Sequence, residues 1–352
     1  MLDERTTYSP GSPTLPTALL KTSTRNTLVF GAKVGIATLL IAWLVRGGSL
    51  DVGALRILVD RPSLLAADIG LFVFGAFVST LRYRVLLELA AVRVGLGTLF
   101  RLQMTAFFFN VVIPGNVGGD LVKALYVARD APREKRTTIL LLAFVDRLLG
   151  LTGLVLMGTL VTSLQGAALW RDPLFRPLVA AVVGIGLATL IGGGLALVIV
   201  QRAGERLDGY TRGTSKIRKV LNQLVASARI LSSGPRKLVA ALLLSMLYHA
   251  TSMAFFMLLT RALVDADVSY TALATIYPLG LLSLVLPIAP AGLGVGHVAF
   301  KRLFEAVGLA GGATVFNVYL LGQMGPCLFG LFPFLSMRRR GEIPPEALDT
   351  KS

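Results

Sequence analysis

Cysteine occurs once in this chain, at Cys327, and histidine twice, at His249 and His297. A single thiol excludes an intramolecular disulfide, and no cysteine-built metal centre can be assembled from it. Charge is scarce as well: 15% of residues are charged against an apolar fraction of 54%, far from the balance of soluble domains. The sequence has no P-loop, no HExxH and no nucleophile elbow, and Gly292-Leu-Gly-Val-Gly follows no strand that would make it a dinucleotide fingerprint. These absences point away from an enzyme. No catalytic residue, cofactor or metal is expected.

What the chain does have is apolar runs of bilayer length, which make it a polytopic membrane protein with one membrane domain. Its formal net charge of +16 would suggest nucleic acid in a soluble protein. Here the basic residues gather in short loops beside the runs, where they set orientation and meet anionic lipid, so no nucleic-acid partner is expected.

Residues 1–27 are rich in Ser, Thr and Pro and read as a disordered cytoplasmic tail. The membrane domain is expected over residues 28–337. It starts with a span from about Leu28 to Val45, and a second span, Pro62 to Leu81, closes on Arg82 and Arg84. Leu102–Ile113 is too short to cross and ends in a break, Pro114 to Asp120, reading PGNVGGD. The short arm Leu121–Ala128 then leads to Arg129, Arg133, Lys135 and Arg136. Basic residues on both sides of the break put both ends of this hairpin in the cytoplasm.

Further spans are expected over Thr137–Leu164, Leu178–Val200 and Leu238–Leu263. The polar connection Gln201–Lys237 carries apolar residues at helical spacing opposite Lys216, Arg218, Lys219 and Arg229, the pattern of a helix lying on an anionic membrane surface. A second hairpin enters along Thr271–Ile288, breaks at Pro290 to His297, reading PAGLGVGH, and returns along Val298–Val307, with Glu305 placed to pair with Lys301. A last span, Ala313–Met337, precedes a basic cytoplasmic tail over residues 338–352.

The expected fold is therefore an all-α polytopic membrane protein of about six full spans plus two opposed re-entrant helical hairpins. Written as crossings, the second half (residues 178–337) is the first half (residues 28–164) turned over. Inverted repeats with broken helices near the midplane are a recurring transporter design. Laying Asp120 on His297 brings Arg147 within one position of Gln323.

The candidate binding residues follow from these breaks. Pro114, Gly118, Gly119, Gly292, Gly294 and Gly296 either present helix N-termini to a phosphate or only permit tight helix crossing. Asp120, Asp146 and Arg147 must face the protein interior or a water-filled groove. Asp120 with Arg147 is read as a gate pair, Arg147 becoming counter-charge to a lipid phosphate when Asp120 moves away; the alternative is a permanent structural ion pair. Lys123 serves the same anion or snorkels to the interface. Asn110, Asn317 and Gln323 can satisfy backbone groups freed at the breaks. His297 sits where an anion would be recognised, and His249 either relays protons or is a buried neutral histidine.

Four blocks carry a family resemblance: Leu81-Arg82-Tyr83-Arg84, FFFNVVIPGNVGGDLVKAL from Phe107 to Leu125, Asp146-Arg147-Leu-Leu-Gly-Leu, and LPIAPAGLGVGH from Leu286 to His297. They resemble the flippase-like membrane family typified by the transmembrane region of lysylphosphatidylglycerol synthase. In the last block the family pattern reads GGLGVRE, whereas this chain has Ala291 for the first glycine, and Gly296 and His297 for the arginine and glutamate. The resemblance implies lipid translocation between leaflets. Because the chain ends soon after its last span, no aminoacyl-transferase activity is expected of it.

The resulting expectation is a transporter in the bacterial cytoplasmic (inner) membrane, with both termini cytoplasmic, that moves a phospholipid or polyprenyl-phosphate-type lipid. Its partners would be membrane lipids, with a partner synthase or a second copy of the chain as further possibilities. The alternatives are an intramembrane enzyme on lipid-linked substrates and a non-transporting assembly partner.

Overall fold

The structure, a computed structural model, describes residues 53–112, 118–164, 171, 173, 176–211, 225, 226, 228–264, 268–284 and 295–339. The expected first span, the amino-terminal tail, most of the surface helix, residues 113–117 and 285–294 of the two breaks, and residues 340–352 lie outside them. Among the described residues there is no strand, and five helices are long and apolar enough to cross a membrane.

After a short 3₁₀ turn, α1 (Arg56–Asp60) leads into α2 (Pro62–Leu89), with Pro62 in the first turn, where its missing N–H costs nothing. There follow α3 (Leu96–Val112), α4 (Gly118–Arg129), α5 (Arg133–Leu164) and α6 (Arg176–Thr211). The second half comprises α7 (Pro235–Leu263), α8 (Tyr270–Ser283), α9 (Val295–Glu305) and α10 (Gly312–Cys327), which runs through a 3₁₀ turn into α11 (Leu331–Arg339).

Three boundaries extend beyond the sequence reading. Arg82 and Arg84 do not close α2, which continues to Leu89. The charge of Arg82 is met inside the protein, so the helix has no need to end at water there. The span expected to stop at Val200 continues as helix to Thr211, because Gln201, Arg202, Ala203, Glu205, Arg206 and Leu207 are good helix formers with no proline among them. The final helix likewise takes in Arg338 and Arg339.

With Asp120 kept on His297, α4 and α9 begin at the same register position, Gly118 and Val295, and α2 and α7 coincide in extent to about one helical turn. The helices α2 and α7 pack along each other at the centre, and α5 packs on both. Their approach needs small residues. A Cβ on Gly75 would lie 3.0 Å from Thr251 Oγ1, and one on Gly153 would lie 2.2 Å from Ser245 Cβ.

Two large apolar cores lie among the described residues, each drawing on both halves of the chain. One gathers Tyr83, Leu86, Phe108, Phe109, Leu142, Val145 and Phe334; the other gathers Phe255, Phe256, Tyr277, Phe300, Phe304, Phe316 and Tyr319. Outward faces are apolar too: Ile69, Val73, Phe74 and Phe77 on α2, Leu187, Leu190, Ile191 and Leu195 on α6, and Leu243 and Leu247 on α7 are all exposed. Such surfaces are matched by lipid chains rather than water.

Candidate functional site

Five helices converge on one buried polar cluster. Arg82 comes from α2, Gln103 from α3, Lys123 from α4, Asp146 from α5 and Ser245 from α7, and all five are buried. Asp146 is the centre. Its Oδ1 accepts from Arg82 Nε at 2.7 Å, and its Oδ2 accepts from Lys123 Nζ at 3.1 Å. The Lys123 ammonium also donates to Gln103 Oε1 at 2.9 Å and lies 4.1 Å from the centre of the Tyr83 ring.

Arg82 Nη1 donates to Ser245 Oγ at 3.1 Å, and the Ser245 hydroxyl passes a hydrogen bond to the Ala241 carbonyl at 2.9 Å. Gly150 makes room for the guanidinium, since a Cβ there would sit 3.3 Å from Arg82 Nη1. Every charged member of this inner group has an opposite charge at hydrogen-bond distance, the condition under which buried ions are tolerated.

An outer layer is looser. Asp120, in the first turn of α4, lies 3.9 Å from Lys123 Nζ and 3.8 Å from Arg147 Nη1, both beyond hydrogen-bond length. The Arg147 side chain is 42% exposed and that of Asp120 23%, whereas Lys123 is only 1% exposed. Lys123 therefore does not snorkel; its ammonium ends inside the protein. Taken together, Arg82, Lys123 and Arg147 against Asp146 and Asp120 leave one positive charge in excess.

The glycines at the start of α4 and α9 serve helix approach. A Cβ on Gly119 would fall 1.9 Å from the Ala106 carbonyl oxygen, so only glycine lets α3 and α4 cross here. The Gly119 N–H donates to Asn110 Oδ1 at 2.9 Å, which assigns that amide to Asn110 rather than to a ligand. Gly296 lies against Phe316, whose ring would be 2.3 Å from a Cβ. Gly118 is the first residue of α4, while Pro114, Gly292 and Gly294 fall outside the described residues.

The remaining candidates are distributed around the second half. His297 Nε2 lies 3.5 Å from Asn317 Oδ1, and its ring meets Phe316 edge-on. His249 Nε2 lies 2.9 Å from the Gly150 carbonyl, which makes Nε2 the protonated nitrogen; its Nδ1 is buried with no partner among the described residues. Gln323 is not at the charged cluster. Its Nε2 donates to Asp68 Oδ1 at 3.3 Å, pairing α10 with α2.

Sequence reasoning passed over Arg82, Gln103, Ser245 and Asp68. For Asp68 the signal was present, an acid inside the apolar run Leu64–Phe74, which by itself marks an intramembrane ionisable residue.

The family model of the lysylphosphatidylglycerol synthase TM region matches residues 31–320. The chain belongs to this family. The match takes in Arg82, Lys123, Asp120, Asp146 and Arg147, and with the five span-length helices it makes the protein an integral membrane protein of a lipid-related family. No match was found among curated proteins, nor among solved structures.

Proposed function

We propose that this member of the lysylphosphatidylglycerol synthase TM region family moves a lipid with an anionic, phosphate-bearing headgroup between leaflets. The observation that carries the reading is the division of the cluster between a tight inner pair and a loose outer contact. Arg82 and Asp146 are held at 2.7 Å and stay together. Asp120 touches Lys123 and Arg147 only at 3.9 and 3.8 Å, so a phosphate oxygen able to approach closer replaces it at little cost. Lys123 and Arg147 then hold the headgroup while the acyl or prenyl chains remain in the bilayer.

In this reading the architecture is an inverted repeat, residues 28–164 and 178–337 each contributing the two arms of a re-entrant hairpin, α3 with α4 and α8 with α9, that enter from opposite sides. In this reading both termini are cytoplasmic, the membrane is the bacterial inner membrane, and the chain carries out no chemical step. Transport then follows gradients of lipid or of a coupled ion.

The test is translocation of fluorescent lipids in liposomes containing wild type or Arg147→Ala, with anionic, cationic and polyprenyl-phosphate headgroups in turn. Movement of a phosphate-bearing lipid by wild type, with at least about tenfold slower movement by the variant, is the expected result, equivalent to about 1.4 kcal/mol of lost headgroup interaction. Failure of every lipid to move, or chemical turnover of the lipid by the detergent-solubilised protein, would overturn it in favour of an enzyme.

A further inference from the structure

The register that places α4 on α9 also places Asp146 on Gln323 and Ser245 on Asp68. Two of the polar contacts that join the halves are therefore counterparts, Arg82–Ser245 beside Asp146 in one and Asp68–Gln323 in the other. They differ in one respect. Asp146 is locked as an anion by two cations, whereas the hydrogen-bond partner of Asp68, 1% exposed, among the described residues is a neutral amide.

We propose that Asp68 is a proton-binding site whose occupancy couples lipid movement to a proton gradient; this rests on the transporter reading above. An amide is a partner that serves both states of the acid. Its NH₂ donates to the carboxylate, and its carbonyl, after a flip, accepts from the carboxylic acid. A lysine or arginine in the place of Gln323 would favour the anion alone. Intramembrane carboxyl groups of this kind form proton relays in pumps and transporters.

Among the described residues, the surroundings supply no competing charge. From α10, Gln323 faces Asp68, with Tyr319 and Cys327 one turn to either side. From α7, Phe255 lies with the Asp68 carboxyl against Gly322, while the titratable Tyr248 of α7 and the apolar Phe107 of α3 line the neighbouring cavity. On α1, Arg56 and Asp60 pair with each other at the exposed surface. Arg61 at the start of α2 is exposed, and Arg82 lies about 21 Å further along the same helix, bound to Asp146, with Arg147 of α5 beside Asp120. Among the described residues, no basic side chain lies within salt-bridge distance of Asp68.

Gly322 lets the carboxyl lie close to α10, since a Cβ there would be 3.1 Å from Asp68 Oδ2. One turn along α2, a cavity bounded by Phe72, Gly75, Phe107, Tyr248, Ser252 and Gln323 has a volume of about 10 Å³. That is room for about one water molecule beside Gln323, the partner of Asp68.

Two measurements test this. In liposomes with an imposed difference of one pH unit, one proton per lipid drives the leaflet ratio of the transported lipid to about tenfold. Wild type is expected to approach that ratio, Asp68→Asn to stay near one, and Asp68→Glu, which keeps the acid, to recover a response. A full response in Asp68→Asn, or a response to a sodium gradient and none to pH, overturns the proposal. Infrared spectra of purified wild type and Asp68→Asn, titrated in detergent, need no lipid movement. A protonated-carboxyl band that titrates in wild type and is missing from the variant supports the site even if the transporter reading fails. Identical spectra overturn it.

Discussion

The two halves of this protein meet the central helices α2 and α7 with opposite chemistry at matching positions. Where the first half has Arg82, Lys123 and Asp146, the same register gives Leu259, Phe300 and Gln323 in the second. Phe300 is stacked on Phe316 at 4.9 Å and lies 5.3 Å from Phe256, in a core of rings. One junction is a compensated set of charges, the other an apolar block with a single acid at its edge. Both junctions meet the general condition that a buried charge be either paired at hydrogen-bond length or able to become neutral.

Substitutions in the two junctions should separate these strategies. The largest effect is expected from Arg82→Ala, which leaves Asp146 with Lys123 alone and strands Ser245. Removing one partner of a buried pair costs about 3–5 kcal/mol, visible as a large drop in melting temperature in detergent. Combining Arg82→Leu with Asp146→Gln gives two of the three positions in the first junction their counterparts from the second, Lys123 staying in place of Phe300. That double variant should be more stable than the sum of its single changes by up to about 3 kcal/mol, while losing anionic-lipid movement. Strict additivity would break the comparison.

A smaller contrast lies in the helix crossings. Gly119→Ala meets the Ala106 backbone carbonyl, which cannot yield without moving α3, whereas Gly296→Ala meets the Phe316 ring, a side chain that can turn. The first should cost about 1–3 kcal/mol as overpacking, and the second less, in the same melting assay. Smallest is Asn110→Ala, which removes the acceptor for the Gly119 N–H and should cost about 1 kcal/mol.

Much of the architecture was legible in the sequence. Apolar runs located the five described spans, while the prolines and clustered glycines of both breaks fall largely outside the described residues. Helix ends were less legible, because a basic residue after an apolar run reads as an interface whether it meets water or, like Arg82, a buried carboxylate. The same ambiguity hid the length of Lys123's reach into the core. Asp146 was legible as a group needing a partner; which cations supplied it was not, since Arg82, Lys123 and Asp146 come together only through the packing of three helices. Asp68 and Gln323 are far apart in the chain and joined by tertiary structure alone.

The claim at the centre of this account is that Asp120 competes with the lipid phosphate for Lys123 and Arg147. It is tested most directly by the affinity of the purified protein for a short-chain anionic phospholipid, compared among wild type, Asp120→Asn and Arg147→Ala. The account predicts that Asp120→Asn binds tighter by up to about tenfold, because the competing charge is gone, and that Arg147→Ala binds weaker by a similar factor. Equal weakening in both variants would contradict it, making Asp120 and Arg147 a permanent structural pair.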